Sequence, residues 1–235
     1  MPFPVVRLAR AELRLAPRPW PFAQTRRAEI DAHFAQLIRD NPHAFNGQVL
    51  MLHEAAMDDS VLRGAYFETD FASFIAWRDW GWPDSSVRNC FGQAALRAAD
   101  GAFLLGVMGP HTMNAGRIYF PSGTPDPSDV IDGAVDLAGS VLRELTEETG
   151  LTGADVILDA GWHAVLAGPR LAMLKPVRSP FPADELRARI LAHMASEAHP
   201  ELADMRIVRG PDDLDDMMPE FIKDYLLEMW KEKTM

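Results

Sequence analysis

Residues 143–151 place three carboxylates and one arginine on little more than two turns of a predicted helix. Side chains three and four positions apart share a helix face, so Glu144 lies beside both Glu147 and Glu148. On the other face, apolar residues recur at the helical period, at Ala138, Val141, Leu142 and Leu145. Gly150 follows as a typical helix stop. The chain must therefore form a helix that packs on a core along one side and concentrates negative charge along another.

The spacing of Glu144, Glu147 and Glu148, called the box glutamates below, favours a divalent cation. Like charges this close repel one another, and a hard ion such as Mg²⁺ or Mn²⁺ relieves the repulsion while accepting carboxylate oxygens. Arg143 lies four positions before Glu147, so the two side chains can form an ion pair. The alternative is a solvated acidic helix face, because glutamate is common on exposed helices. We predict that the box glutamates are metal ligands.

The same stretch resembles the signature of the Nudix hydrolase family, Gx5Ex7REUxEExGU, in which U is a bulky aliphatic residue. All fixed positions of the second half are matched, by Arg143, Glu144, Leu145, Glu147, Glu148, Gly150 and Leu151. The first half departs from the pattern. Val135 stands where the family has its upstream glutamate, and Asp129 stands where it has glycine.

A loop glycine that resembles the one in the signature occurs further upstream, at Gly123. It lies 20 positions before Arg143, against 14 in the family pattern, so the loop at residues 124–133 contains an insertion. This loop is rich in turn-forming residues, which suits an insertion. The aspartates that could replace the missing glutamate are Asp126, Asp129, Asp132 and Asp136. Each is equally suited to a turn or a helix cap, so the sequence leaves the choice open.

The resemblance implies an α/β fold, the Nudix α/β/α sandwich with a mixed sheet, over residues 85–235. Residues 1–84 are expected to form an N-terminal α+β extension, because the chain of 235 residues exceeds the roughly 150 of a typical domain. The boundary is placed at residues 81–84, where Gly, Pro and Asp interrupt the pattern of regular elements.

The resemblance also implies an activity, metal-dependent hydrolysis of the pyrophosphate bond in a nucleoside diphosphate linked to another moiety. In family members, residues equivalent to Glu144 and Glu148 bind the metal, and the arginine equivalent to Arg143 orients a glutamate. The residue equivalent to Glu147 binds a further ion or a coordinated water. These four residues are the predicted catalytic set, the cofactor is Mg²⁺ or Mn²⁺, and Gly123 is predicted to lie at the substrate. The catalytic base is not identifiable.

Three alternatives remain for the ligand. The N-terminal layer with residues 45–52, followed by an expanded loop, resembles the branch related to UDP-sugar pyrophosphatases, which implies a nucleotide sugar. Residues 120–123 resemble a second branch, which acts on coenzyme A and acyl-coenzyme A. The absence of the upstream glutamate, with Val135 in its place, would also suit a regulatory protein that binds a nucleotide without hydrolysing it.

Periodicity predicts further elements on both sides of the box. The predicted strands are residues 5–8, 48–52, 62–67, 87–97, 103–108, 117–120, 156–158, 161–166, 170–177 and 205–208. The predicted helices are residues 25–39 with Thr25 as the cap, residues 71–80, residues 183–196 and a C-terminal helix that contains Phe221 and Met229. Residues 167–169 are expected to form a hairpin turn between two strands.

Composition restricts the class of protein. The net charge of −11 disfavours a nucleic-acid binder, and no apolar run approaches the roughly 20 residues needed to cross a bilayer. The single cysteine, Cys90, cannot form an internal disulfide, which favours a reducing, cytoplasmic location. We expect a small-molecule ligand, with no nucleic-acid or membrane partner. A homodimer is expected by analogy with the family.

Two further clusters have alternative interpretations. Trp77, Trp80 and Trp82 are suited either to stacking on a nucleobase or to core packing. The acidic run at residues 212–216 is either a second cation site or a solvated helix entry. The seven histidines show no metal-ligand spacing in the sequence, and His163 on a predicted strand is a candidate for a half-buried structural residue.

Overall fold

The computed structural model describes residues 2–232, and within that range the chain forms two mixed β-sheets and six α-helices. The strands are β1 (Val5–Leu8), β2 (Arg10–Leu15), β3 (Gln48–Asp58), β4 (Val61–Asp70), β5 (Asn89–Arg97), β6 (Phe103–Met108), β7 (Ile118–Tyr119), β8 (Ser122–Gly123), β9 (Val130–Ile131), β10 (Ala134–Val135), β11 (Ile157–Leu158), β12 (Trp162–Ala167), β13 (Arg170–Arg178) and β14 (Leu202–Val208). The helices are α1 (Pro21–Thr25), α2 (Arg27–Asp40), α3 (Phe71–Asp79), α4 (Leu137–Thr149), α5 (Ala183–Met194) and α6 (Glu220–Glu232).

The larger sheet has the strand order β1-β12-β13-β5-β6-β14, with β13 and β5 parallel and the other neighbours antiparallel. Successive side chains of β5 point to opposite faces, as strand geometry requires. Cys90 and Ala94 join the core formed with α4 and α5, whereas Phe91 and Ala95 join the core formed with α6. Helices therefore cover both faces, and the predicted α/β/α sandwich with a mixed sheet is confirmed.

The smaller sheet has the order β3-β4-β2-β10-β9. Its outer face packs against the N-terminal helices, where Met51 and Phe67 contact the cluster that contains Ile30 and Trp77. Its inner face contributes Leu52 to the same core as α4 and α5. This sheet and its helices form the small α+β layer that the sequence predicts.

The two sheets exchange strands. β1 pairs antiparallel with β12 in the larger sheet, although it belongs to the N-terminal part of the chain. The hairpin of β9 and β10, which lies in the inserted loop, pairs with β2 in the smaller sheet. One continuous apolar core contains residues from both parts, among them Leu13 and Leu96. The domain boundary near residue 84 stays a prediction, and these pairings cross it in both directions.

Most of the predicted elements are present with boundaries shifted by a few residues, and the differences have local causes. The helix expected over residues 25–39 is α2, which begins at Arg27, and a separate short helix, α1, precedes it. Pro21 occupies the first position of α1, and the Thr25 hydroxyl at its end donates to the carbonyl oxygen of Pro21 at 2.7 Å. Thr25 is therefore not a cap. The predicted loop at residues 124–133 contains a hairpin, whose turn uses Asp132 and Gly133 with φ of 50° and 80°. β2 was not predicted.

The tryptophans belong to the core. Trp77 is fully buried, and its indole N–H donates to the carbonyl oxygen of Asp84 at 2.9 Å. The ring of Trp82 packs edge-on against it, with 4.5 Å between centroids, and the guanidinium of Arg26 lies over the ring of Trp80 at 4.1 Å. The core-packing interpretation is confirmed for these residues, and the stacking interpretation is wrong for Trp77.

The acidic run and His163 also have structural roles. The Asp213 carboxylate accepts hydrogen bonds from the backbone N–H of Arg209 at 2.6 Å and of Gly210 at 3.2 Å, in a short 3-10 helix that precedes α6. Nδ1 of His163 lies 3.2 Å from the Tyr225 hydroxyl. Within residues 2–232, no helix has both the length and the apolar character that crossing a bilayer requires.

Gly92 allows α4 to lie directly on β5. A Cβ atom at this position would lie 2.4 Å from Cγ2 of Val141 and 3.3 Å from Cδ1 of Leu137, both on α4. We expect Gly92→Ala to lower the free energy of unfolding by about 1–3 kcal/mol, because the helix must move or its side chains must leave their rotamers. Urea denaturation measures this change. Gly153→Ala is the control, since a Cβ there meets nothing within 4 Å. Equal midpoints for the two variants would contradict the close contact.

Candidate active site

The helix that carries the box glutamates is α4. At its N-terminus the Asp136 carboxylate accepts from the backbone N–H of Gly139 at 3.0 Å, and at its C-terminus Gly150 adopts φ of 72°, the left-handed conformation that glycine favours. Val141 and Leu145 are buried in the main core. The predicted helix and its stop are confirmed, and the apolar stripe fixes the direction in which the charged residues project.

Glu148 points inward. Its side chain lies between α4 and β8, the residue is 4% exposed, and Oε1 accepts from the backbone N–H of Ser122 at 2.9 Å. Oε2 is buried and has no hydrogen-bond partner among the described residues. Burial raises the pKa of Glu148 well above its ordinary value, against the opposing effect of the Ser122 hydrogen bond. Glu148 therefore does not lie on a solvated helix face, because its position on the helix directs it towards the sheet.

Arg143 collects three carboxylates around one guanidinium. Nη1 lies 2.8 Å from Oε1 of Glu144 and 3.4 Å from Oε2 of Glu147. Nη2 lies 3.2 Å from Oδ1 of Asp129. The predicted ion pair between Arg143 and Glu147 is confirmed, although the Glu147 side chain is 60% exposed and the pair is correspondingly weak.

Asp129 is the aspartate of the four candidates that contacts Arg143 within residues 2–232. Its side chain is 4% exposed, whereas Asp126 caps the short 3-10 helix, Asp136 caps α4, and Asp132 lies in the hairpin turn. The place of the upstream glutamate in the pattern, Val135, is an apolar core position. The inserted loop thus brings the carboxylate of Asp129 to Arg143, although the signature has a glycine at the position of Asp129.

Gly123 makes room for the Glu144 carboxylate. β8 pairs with β5, which places Gly123 opposite Gly92 and beside α4. A Cβ atom on residue 123 would lie 2.3 Å from Oε1 of Glu144. The residue predicted to lie at the substrate therefore borders the charged cluster, and any side chain there would displace the Glu144 carboxylate from its position.

Glu144 is largely enclosed, with a side chain 15% exposed. Burial raises its pKa to about 7, against the attraction of Arg143, and repulsion from Glu147 adds to the effect. A carboxyl group in this setting exchanges its proton near neutral pH. A bound cation would stabilise the ionised form of Glu144, because its positive charge would replace the solvation that burial removes.

A further carboxylate, Glu201, was not predicted. It precedes β14, and its backbone carbonyl accepts from the N–H of Gly109 at 2.8 Å. Partial desolvation raises the pKa of Glu201, the charge of His111 opposes the rise, and Glu147 adds to it. Its charge in turn raises the pKa values of Glu144 and Glu148. Its loop has no periodic pattern, so no signal in the sequence could have placed it here.

The donor set fits a hard divalent cation in chemistry, although the side chains do not converge on one point. Within the described residues, no group of three or more His, Cys, Asp or Glu side chains is arranged to hold a metal ion. The pairing of Glu144 with Arg143 occupies oxygen that a metal would use. The unpartnered buried Oε2 of Glu148 and the space over Gly123 are the features that a cation would satisfy. Glu144, Glu147 and Glu148 are the residues that could hold it.

No protein-family model matches the chain, and no curated protein matches it. Among solved structures, it is similar to a MutT protein from Methanosarcina mazei Go1, with 19% identity, a TM-score of 0.42, and coverage of 63% of this chain and 96% of that one. It is also similar to the Nudix hydrolase RenU from M. Smegmatis, with 14% identity, a TM-score of 0.40, and coverage of 62% and 84%. The pyrophosphohydrolase BsRppH from Bacillus subtilis has 14% identity, a TM-score of 0.40, and coverage of 81% and 96%. Similarity at this level of identity and TM-score does not assign an activity to the chain.

The raised pKa of Glu144 predicts a pH-dependent stability. Between the ordinary value of 4.5 and the folded value of about 7, the folded state holds more protons than the unfolded state. The free energy of unfolding should therefore fall as pH rises through this window, by at most about 3 kcal/mol from this group. Glu144→Gln should remove that part of the fall. The measurement is urea denaturation at pH 5 and pH 8 in EDTA.

Glu147→Gln is the matched control, because it makes the same substitution on an exposed carboxylate of the same helix. Glu148 contributes a change of the same sign, so some pH dependence should persist in both variants. If Glu144→Gln and Glu147→Gln showed the same difference between pH 5 and pH 8, the enclosure of Glu144 would not be responsible.

Proposed function

We propose that the protein is a metal-dependent hydrolase that cleaves the pyrophosphate bond of a nucleoside diphosphate linked to another moiety. The observation that carries the proposal is the unpartnered, buried Oε2 of Glu148 beside the carboxylate of Glu144. A protein that used these groups only for stability would have no reason to bury a carboxylate without a cation or a second donor. The match of residues 143–151 to the Nudix signature supports the same conclusion.

A divalent ion bound here would neutralise the phosphate oxygens and lower the pKa of a coordinated water. Glu144 and Glu148 would hold the ion, and Glu147, which is exposed, would reach a further ion or a coordinated water. Arg143 keeps the Glu144 and Glu147 carboxylates in place when the ion is absent, because its guanidinium contacts both. Gly123 leaves space for the substrate beside Glu144.

Asp129 has the role of a positioning residue in this proposal. Its buried carboxylate contacts Nη2 of Arg143 while Nη1 contacts Glu144, so the guanidinium is held from the side opposite the box glutamate. The contact also argues against the non-hydrolytic alternative, which depended on the missing upstream glutamate at Val135. A carboxylate partner for Arg143 is present, although it comes from the inserted loop.

Two substrate classes follow from the resemblances. The first is a nucleotide sugar, supported by the N-terminal layer at residues 45–52 and the expanded loop. The second is a coenzyme A derivative, supported by residues 120–123. The homodimer and the cytoplasmic location are proposals of the same kind, supported by analogy and by cysteine content. Specificity depends on the loops around the site, because the fold and the metal ligands are common to both classes.

The first test is turnover of UDP-glucose, coenzyme A, ADP-ribose, NADH and diadenosine polyphosphates, with and without Mg²⁺ or Mn²⁺. We expect metal-dependent hydrolysis of the diphosphate bond in one class. Glu148→Gln should lower turnover by roughly a hundredfold or more, because an electrostatic ligand is lost from the reacting centre. Its free energy of unfolding at pH 8 should stay equal or rise, because the variant no longer buries an unpartnered charge.

Parallel losses of thermal stability and activity in Glu148→Gln would contradict this role for Glu148. Turnover that does not depend on a divalent ion would contradict the metal. Tight binding of one nucleotide without any turnover would favour the regulatory protein.

Asp129→Asn should lower kcat more than it changes KM, because the variant keeps the shape of the side chain but no longer holds Arg143 by charge. A loss of roughly tenfold to a hundredfold is expected, as for groups that orient a metal ligand through a hydrogen bond. Asp132→Asn is the matched control, since it makes the same substitution in the same inserted loop, at the turn between β9 and β10. The measurement is steady-state kinetics at saturating Mg²⁺. Equal kcat values for the two variants would exclude a positioning role for Asp129.

A further inference from the structure

Three histidines that are far apart in the sequence lie together in space. The ring centroids of His43 and His111 are 5.8 Å apart, and those of His43 and His199 are 6.3 Å apart. His43 and His199 are exposed and His111 is half-buried, so the cluster faces the surface. We call these three residues the histidine cluster. Neither the signature nor the box glutamates account for it.

The loops that carry the histidine cluster are tied to one another by polar contacts. The Asn41 side-chain amide donates to the carbonyl oxygen of His111 at 2.8 Å, and its oxygen accepts from the backbone N–H of His43 at 3.2 Å. The backbone N–H of Gly109 donates to the carbonyl oxygen of Glu201, two residues after His199. The cluster is therefore held by the fold, and it is more than a chance approach of mobile side chains.

The cluster adjoins the proposed active site. Glu201 links the two, because its carbonyl oxygen accepts from the N–H of Gly109, two residues before His111, and its carboxylate interacts electrostatically with Glu144 and Glu148. The loop between α5 and β14, which carries His199 and Glu201, also begins beside the box helix. There Nε2 of His193 lies 3.3 Å from the carbonyl oxygen of Glu147.

The chemistry of the cluster suits an oxyanion. Each imidazole has at least one N–H donor in any tautomer, and a phosphate group accepts several such hydrogen bonds. The chain has a net charge of −11, so much of its surface repels anions. The three imidazoles carry no negative charge, and an anion is repelled less there.

We propose that the histidine cluster binds a phosphate group of the substrate that lies outside the scissile diphosphate. This inference rests on the proposed function and narrows its substrate class. A nucleotide sugar such as UDP-glucose has no phosphate beyond the diphosphate, whereas a coenzyme A derivative has an additional phosphate on its ribose. The cluster therefore favours the second class, in which the additional phosphate is bound by His43, His111 and His199 and increases the affinity for the substrate.

The direct test is an NMR titration of protein with ¹⁵N-labelled histidine, in EDTA, with inorganic phosphate as the probe. We expect the ring resonances of His43, His111 and His199 to shift together along one binding curve, whereas those of His33 and His163 stay unchanged. His163 is the more distant internal reference, with its Nδ1 3.2 Å from the Tyr225 hydroxyl, and His33 is a reference whose Nε2 already contacts the Asp79 carboxylate at 2.9 Å. Unshifted cluster resonances, or shifts equal to those of the reference histidines, would overturn the proposal.

A second measurement uses the double variant His43→Ala, His199→Ala, with His33→Ala as the control. Both changed residues are exposed, so the fold should tolerate the substitutions. Phosphate affinity should fall roughly tenfold or more, as expected when charge-assisted hydrogen bonds are lost. For turnover with Mg²⁺, KM for coenzyme A should rise by a similar factor with kcat unchanged, and KM for dephospho-coenzyme A, which lacks the ribose phosphate, should not change.

The outcomes separate this proposal from the proposed function. Phosphate-induced shifts without turnover of any substrate would support the anion site and contradict the hydrolase. Metal-dependent turnover with equal KM effects on coenzyme A and dephospho-coenzyme A, or turnover of UDP-glucose alone, would support the hydrolase and overturn the phosphate subsite. A separate NMR titration without EDTA, with Zn²⁺ instead of phosphate as the probe, distinguishes a metal site from an anion site. Cluster shifts with Zn²⁺ but not with phosphate would overturn the proposal in favour of a metal site.

Discussion

The contact of one guanidinium with three carboxylates is the interaction on which the site depends. Asp129, Glu144 and Glu147 would repel one another if Arg143 did not lie between them. Because Asp129 ends the short 3-10 helix that leads into β9 and the two glutamates belong to α4, the same guanidinium also joins the inserted loop to the helix that packs on the larger sheet. The geometry of the charged cluster is therefore set jointly by both layers of the protein.

Features that depend on neighbouring residues were predictable from the sequence. The apolar stripe of α4, its stop at Gly150 and the two-residue turn between β12 and β13 follow from local patterns, and all are present. The position of Gly123 beside Glu144 was also predictable, because the signature contains a glycine in that loop. The boundaries of strands differ by a few residues, because tertiary pairing decides where a strand ends.

Features that depend on strand pairing between distant segments were not predictable. The choice of Asp129 among four aspartates follows from the register in which β10 pairs with β2, which no local pattern specifies. Glu201 reaches the site because β14 pairs with β6, and the histidine cluster forms where three loops meet. The inward direction of Glu148 has a different cause. Glutamate usually favours solvent, and here the position on the helix face outweighed that preference.

The exchange of strands between the sheets has a consequence for how the molecule can come apart. β1 lies in the larger sheet although its neighbours in the chain lie in the smaller one, and the β9–β10 hairpin lies in the smaller sheet although its neighbours lie in the larger one. Separation of the two sheets would require β1 to leave the larger sheet and the β9–β10 hairpin to leave the smaller one. We therefore expect both sheets to unfold in one cooperative transition. Asp129 should lose its contact with Arg143 in the same transition that exposes the core.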